Sequence, residues 1–300
     1  MSEETFRTGF VALVGRPNTG KSTLLNQLIG EKISITSSRA QTTRHRLTGV
    51  KSIDDAQLLY VDTPGMHSGG KKAVNRYMNR VARNAVRDVD IVVWVVEALR
   101  LTEEDEAVLE ALKTADVPVL LAVNKVDRVR DKARLLPFME ELAARREFAT
   151  VVPLSAESGE NVDALEAEIA ARLPEGPPLF PTDQLTDATE RFLAAELIRE
   201  KLTRRLEQEL PYVLTVAIDE FREEEERLNI SATIWVERES HKGIVIGRGG
   251  TVLKEVGQRA RKDMERLFDH RVHLELWVKV REGWSDDERA LKSLGYRDDD

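Results

Sequence analysis

Residues Gly15-Arg16-Pro17-Asn18-Thr19-Gly20-Lys21-Ser22 fit the pattern Gly-x-x-x-x-Gly-Lys-Ser/Thr. They follow the apolar run Phe10 to Val14 and open a stretch of helix formers, Lys21 to Ile29. Few short patterns restrict a fold so tightly. The loop works only where a buried strand hands the chain to a helix N-terminus, because backbone N–H groups must turn inward onto phosphates and the helix dipole adds its positive end. A chain of this kind is expected to be α/β, with the loop at the carboxyl edge of a mostly parallel sheet. Lys21 then supplies a mobile charge to the β and γ phosphates, the Ser22 hydroxyl can ligate Mg2+, and Thr23 continues the loop into the helix.

The residues that follow fit this frame. Gln57 to Val61, Ile91 to Val96, Val117 to Val123 and Thr150 to Leu154 are apolar throughout, as strands buried on both faces are. Val74 to Val86, Glu103 to Ala115, Asp131 to Arg146 and Asn161 to Arg172 carry apolar residues at three- and four-residue spacing, which predicts helices. The alternation predicts a doubly wound α/β domain over residues 1–173. Pro174 to Pro181 holds four prolines in eight positions, so residues 174–185 read as a linker.

Beyond the linker the order changes. A helix (Thr189 to Glu209), two alternating strands (Tyr212 to Phe221 and Leu228 to Glu237), a Gly-rich turn, a helix (Thr251 to Phe268) and a strand (Val272 to Val280) predict a smaller α+β domain over 186–284. The acidic run Glu223 to Glu226 reads as a solvated hairpin turn. Residues 285–300 are left as a tail ending in Arg297-Asp-Asp-Asp300. Three hundred residues are enough for two cores. No apolar run approaches the roughly 20 residues of a membrane span. The chain has no cysteine and no signal-like N-terminus, so a reducing cytoplasm is expected. The net charge of −8 argues against coating nucleic acid by bulk charge, and charge must be read regionally.

Three further loops follow predicted strands. Asp62-Thr63-Pro64-Gly65 places a carboxylate where it can hold Mg2+ through water and a Gly65 N–H within reach of a γ-phosphate. Asn124-Lys125-Val126-Asp127 offers a carboxylate that accepts from the N1–H and exocyclic amine of guanine, whereas adenine would leave Asp127 unpaired. GTP is therefore expected over ATP, with Ser155-Ala156 supporting the base from the backbone. Gln41-Thr-Thr-Arg-His45 offers Thr42 and Thr43 as a switch threonine. Directly after Gly65 stands Met66, which can neither orient nor activate water, so intrinsic hydrolysis is expected to be slow. His67 either substitutes or faces solvent.

In the second half, Gly247-Arg248-Gly249-Gly250 precedes a helix and can clamp a sugar-phosphate backbone, although a plain strand-to-helix turn would look the same. The stripe Val252, Val256, Ala260, Met264 turns Lys254, Arg261 and Lys262 outward. From Arg227 to Arg281 there are twelve Lys and Arg against seven Asp and Glu, a local basic surplus. Trp277 either stacks on a base or is covered by its neighbours.

The set of P-loop, threonine switch, Asp-x-x-Gly, Asn-Lys-x-Asp and Ser-Ala resembles that of translation-factor-like small GTPases. Together with Gln41-Thr-Thr-Arg-His45, Met66-His67 and the segment Ile244 to Gly250, it makes residues 6–284 similar to the Era-like group of bacterial GTPases. The fold this implies is a doubly wound P-loop GTPase domain followed by a smaller α+β type II KH domain. The resemblance implies Thr43 as the switch residue at Mg2+, with Lys21, Thr43 and Gly65 around the γ-phosphate. It implies Asn18 as a ligand for K+ doing the work of an arginine finger, where the residues alone allow a loop-shaping role. Segments Ile33 to Arg46 and Thr63 to Asn75 would order around GTP and be released on hydrolysis. Lys242, Ile246, Gly247 to Gly250 and Lys254 would touch RNA. The implied partners are GTP and GDP, the 3′ end of 16S rRNA and the 30S subunit during assembly, for a cytoplasmic monomer with peripheral contact at the inner face of the membrane. Arg248-Gly249 departs from relatives that carry a Lys in one of these positions.

Overall fold

The computed structural model describes residues 6–37, 39, 41–65, 72–206 and 210–296. It divides into two compact units, Met1–Gly70 with Met78–Asp187, and Lys71–Tyr77 with Ala188–Asp300.

The first unit is built on β1 (Arg7–Val14), β2 (Leu47–Ser52), β3 (Ala56–Asp62), β4 (Ile91–Glu97), β5 (Val119–Asn124) and β6 (Thr150–Pro153), in the order β2-β3-β1-β4-β5-β6. The helices between them are α1 (Lys21–Ile29), α2 (Ala73–Asn84), α3 (Glu103–Leu112), α4 (Leu135–Ala143) and α5 (Val162–Ala170). Strands β1, β3, β4, β5 and β6 run parallel, and their apolar side chains, such as Leu13, Val61, Trp94 and Leu121, are wholly buried. Strand β1 lies between β3 and β4, the point at which the strand order reverses, so the loop leaving it sits where open α/β sheets bind ligands.

Two departures have physical causes. Strand β2 pairs antiparallel with β3 and has no counterpart among the sequence-predicted strands, because Leu47-Thr-Gly-Val-Lys-Ser is neither uniformly apolar nor cleanly alternating. The predicted helix Asp131 to Arg146 is split into a 3₁₀ turn at Lys132–Arg134 and the shorter α4, with Asp131 accepting from the Ala133 N–H.

The Pro-rich run belongs with this unit up to Asp187. The Gln57 side chain accepts from the Leu179 and Phe180 N–H groups and donates to the Phe180 carbonyl at 2.8 Å. Val50 donates to the Leu185 carbonyl at 2.8 Å, and Thr186 donates to the Thr48 carbonyl at 2.7 Å.

The second unit holds α6 (Glu190–Arg205), β7 (Leu214–Glu224), β8 (Arg227–Val236), α7 (Glu239–Ile246), α8 (Thr251–Phe268), β9 (Arg271–Val280) and α9 (Glu288–Ser293). Its sheet runs β7-β8-β9, with an antiparallel hairpin turning at Glu225 and Glu226 and a parallel β8–β9 pair. One face, including Ile230, Ala232 and Ile234, packs on Leu197 and Ile198 of α6 and on Val256, Ala260 and Met264 of α8.

Helix α7 stands where the sequence suggests only a Gly-rich turn. Gly243 and the β-branched Ile244, Val245 and Ile246 are poor helix formers, and burial of Val245 overrides them. The stretch read as a tail from 285 is also structured. Trp284 and Tyr296 are buried, the indole N–H donating to the Val213 carbonyl and the Tyr296 hydroxyl meeting Thr215 at 3.1 Å. Residues 297–300 lie outside the described residues. No described helix is long and apolar enough to cross a membrane.

Candidate functional site

The loop Gly15 to Gly20 leaves β1 and ends at the N-terminus of α1, with Gly20 in the left-handed region as N-cap. Lys21 is buried, and its ammonium donates to the carbonyls of Gly15 and Arg16, both at 3.0 Å. Burial lowers its pKa to about 8, with the Asp62 charge offsetting part of that effect. Asn18 sits at φ 65°, a left-handed conformation that asparagine tolerates. Thr19 is buried and bonds the Arg16 carbonyl.

Four oxygen-bearing side chains from separate segments converge at the mouth of this loop. The Ser22 hydroxyl lies 2.7 Å from the Thr43 hydroxyl and donates to Asp62 Oδ2 at 2.7 Å. Ser34 donates to the same oxygen at 2.9 Å. Asp62 Oδ1 is buried and has no hydrogen-bond partner among the described residues. Burial pushes the Asp62 carboxyl above its ordinary value, and the Ser22 hydrogen bond and Lys21 charge offset only part of this. Of the two candidate threonines, Thr43 is the one beside Ser22. The Thr42 hydroxyl is engaged within its own loop, by Ser37 Oγ and the Arg39 carbonyl.

The remaining motif residues divide by what they touch. Gly65 packs on Pro17 so closely that a Cβ would come within 2.6 Å of the Pro17 nitrogen, so this loop can approach the phosphate loop only with glycine there. Thr63, by contrast, turns its hydroxyl onto the Leu13 carbonyl, away from the cleft, and Val126 is buried in the core. Thr23 lines the cleft. Met66 and His67 lie outside the described residues.

Asn124 ties three loops together. Its amide donates to the Thr19 carbonyl at 2.8 Å, and its carbonyl accepts from the N–H groups of Lys125 and Ala156 at 2.7 and 2.9 Å. Ser155 Oγ accepts from Ser158 N–H and so shapes the Ala156 turn. Lys125 reaches the Asn18 carbonyl at 2.6 Å. Asp127 lies beside Arg128, at 3.9 Å, and is exposed.

Arg16 does not face the cleft. Its guanidinium is buried between Glu97 at 2.8 Å and Asp105 at 2.9 Å. Neither carboxylate belongs to a motif, nor does Ser34. The available signal for Glu97 is that it is the first charge after the apolar run of β4 and therefore stands at the carboxyl edge of the sheet.

In the second unit, Gly247 ends α7 at φ 75°, with Val252 so near that a Cβ would lie 2.5 Å from its Cγ2. Gly249 and Gly250 also have positive φ but open space beside them, and Arg248 and Gly249 are exposed. A groove between α8 and β9 is lined by Gly250, Leu253, Lys254, Gln258, Arg261 and Leu276. Gln258 is a lining residue that the sequence does not single out. Lys242 and Ile246 sit on α7 and are not part of this lining. Trp277 is 56% exposed, on the opposite face of β9 from Leu276.

Comparisons with known proteins agree over nearly the whole chain. Residues 10–125 match the family described as 50S ribosome-binding GTPase, and residues 209–285 match the KH domain. GTPase Era of Pseudomonas aeruginosa is 57% identical over 292 residues, covering 97% of this chain and 96% of that relative. GTPase Era of Azotobacter vinelandii is 55% identical over 296 residues, 99% of each. The crystal structure of an Aquifex aeolicus Era variant bound to GDP.AlF4- superimposes with a TM-score of 0.94 at 38% identity, covering 97% of this chain and 99% of that one. Era in complex with MgGDPNP and nucleotides 1506–1542 of 16S ribosomal RNA gives 0.93 at 38%, with the same coverage.

Proposed function

The chain belongs to the Era family of GTPases, and from that premise we propose that it is an RNA-binding GTPase serving 30S subunit assembly. GTP occupies the cleft of the first unit, and the groove of the second holds the single-stranded 3′ end of 16S ribosomal RNA. The observation that carries the nucleotide half is the meeting of Ser22, Thr43 and Asp62, residues 21 and 40 positions apart in sequence, at the mouth of the phosphate loop.

Mg2+ fits this cluster. Hydroxyl and carboxylate oxygens are the donors a hard cation takes, and the orphaned Asp62 Oδ1 lacks the partner that a metal-bound water would supply. Among the described residues no three acidic, His or Cys side chains form a cage, and phosphate oxygens and water would supply the remaining ligands. Ser22 and Thr43 would hold the ion directly and Asp62 through water. When bound, it would supply positive charge against the charge developing on the phosphates.

The chain's own groups do the rest. Lys21 leaves the Gly15 and Arg16 carbonyls for the β and γ phosphates, the Gly65 N–H takes a γ oxygen, and Asp127 selects guanine. Water attacks the γ phosphorus as the bond to the β–γ bridging oxygen breaks, giving GDP and phosphate. With Met66 in place of a water-orienting glutamine, turnover without a stimulus is slow. Asn18, its backbone carbonyl held by Lys125, would be the residue to hold K+, which would supply positive charge to the phosphates, and hydrolysis is then expected to be faster in K+ than in Na+. Equal rates in the two salts would remove that part of the reading.

In the RNA half, Gly249 and Gly250 let a phosphate backbone come close while Lys254 and Arg261 supply charge. The test is crosslinking of the GTP-loaded protein to cellular RNA, with and without Gly249→Asp. A discrete crosslink to the 3′ end of 16S rRNA, lost in the variant, is the expected result. Crosslinks that the variant leaves unchanged would overturn the assignment of this groove.

A further inference from the structure

Glu97 stands at the carboxyl end of β4, the strand that lies between β1, which feeds the phosphate loop, and β5, which feeds the base loop. In register it faces Asn124 across the β4–β5 ladder. A side chain at this point can reach both loops, and Glu97 does so with one oxygen. Its Oε2 accepts from an Arg16 terminal nitrogen at 2.8 Å and lies 3.3 Å from the Lys125 ammonium.

Each cation goes on to grip a loop. Arg16 donates to the Pro17 carbonyl at 3.2 Å, and its Nε is fixed by Asp105, which also accepts from the Thr102 N–H and hydroxyl that cap α3. Lys125 donates to the Asn18 carbonyl at 2.6 Å. The path Pro17–Arg16–Glu97–Lys125–Asn18 therefore closes on the phosphate loop after passing through the base loop. Arg100, at 3.7 Å, is a further positive charge beside Glu97. Burial alone would raise the Glu97 carboxyl, but the Arg16 hydrogen bond and Lys125 charge outweigh it, so the group is ionised near neutral pH. Without that charge two cations would face each other across an amide, each attached to a different loop.

We infer that Glu97 is a positioning residue that locks the phosphate loop to the guanine loop, so that binding of the base strengthens the grip on the phosphates. The inference rests on the reading of this cleft as a GTP site. Removing one charge-assisted hydrogen bond from such a bridge changes affinity by roughly tenfold or more.

The experiment compares wild type with Glu97→Gln for GTP, GDP and inorganic tripolyphosphate, each with Mg2+, by displacement of a fluorescent GDP analogue. GTP and GDP are expected to weaken at least tenfold, and tripolyphosphate, which has no base to couple, less than threefold. A residue that merely shaped the phosphate loop would weaken all three alike. That outcome, or unchanged GTP binding, overturns the inference. Absence of GTP binding in wild type would instead sink the reading of the cleft itself. If Glu97→Gln does not fold, Glu97→Asp, which keeps the charge but is too short to span both cations, is expected to give the same split with a smaller loss, and equal losses there overturn it as well.

Discussion

The nucleotide cleft and the glycine groove solve the problem of holding phosphate in opposite ways. In the cleft the motif side chains Lys21, Asn124 and Asp62 are already engaged with protein groups. Lys21 bonds carbonyls of its own loop, Asn124 ties three loops, and Asp62 collects three hydroxyls, from Ser22, Ser34 and Thr43. In the groove and the turn beside it, Lys254, Gln258 and Arg261, and Arg248 and Gly249, are exposed, and Gly249 and Gly250 border open space. A small ligand of fixed shape rewards a preorganised set of donors, since little ordering is left to be done on binding. A flexible polymer needs an accessible backbone path and mobile charge, and the groove supplies those.

This contrast can be broken at several points. The largest effect is expected at Lys21, since removing a buried cation from a triphosphate site costs about 3–5 kcal/mol. Lys21→Ala should weaken GTP and GDP by a factor on the order of a thousand in calorimetry, with RNA affinity of the nucleotide-free protein unchanged.

Next comes the glycine turn. Gly249→Asp places a side chain in open space at φ 59°, where Asp is tolerated at about 1 kcal/mol. It should reduce RNA affinity roughly ten- to a hundredfold while leaving GTP affinity intact, because a carboxylate then meets the phosphate backbone. Gly247→Asp should instead drive a Cβ into Val252 and lower the melting temperature by several degrees, about 4–8 °C per kcal/mol in a unit of this size. Loss of RNA binding in that variant would reflect unfolding of the turn.

The cleft should also respond to pH in a way the groove does not. The Lys21 pKa in the ligand-free cleft is about 8, below its ordinary value. Below pH 8 the ammonium is already present, so affinity for GTP is flat. Above it, binding must take up a proton, and affinity should fall by up to about tenfold per pH unit. A titration from pH 7 to 9.5 that showed no break would contradict the lowered value.

The smallest effect is in the groove. Arg261→Gln should weaken RNA about threefold near physiological salt and reduce the log–log salt slope by about 0.7, the contribution of one phosphate contact on a single strand. GTP binding should be indifferent to the change.

Much of the nucleotide cleft is legible in the sequence because its chemistry allows few solutions. The phosphate-loop motif fixes where its helix must begin, and the helix formers Lys21 to Ile29 are the span that α1 occupies. What the sequence hides is set by tertiary contacts. Strand β2 carries Gly49 at its centre, a residue that weakens a strand reading, yet side chains of α1 pack where its Cβ would be, 2.8 Å from Leu25 Cδ1. Helix α7 hides behind Gly243 and three β-branched residues. Glu97 and Ser34 have ordinary local sequence, and their roles exist only once β4 and β5, or Asp62, stand beside them. In the RNA groove the motif marks the turn but not its walls, because Gln258 and Leu276 face each other only after α8 lies on β9.

The hydrogen bonds from Gln57 and Val50 to the Pro-rich run have a consequence for how the first unit can be handled alone. Strand β2 is the outermost strand of its sheet, and Leu185, Thr186 and Asp187 hydrogen-bond along its free side. Edge strands with unpaired N–H and C=O groups recruit other chains. A fragment cut at Leu173, where the helical pattern stops, would uncover that side and should self-associate, whereas one ending at Asp187 should remain monodisperse. The segment that looks like a mere tether thus acts as a shield against fibril-like stacking.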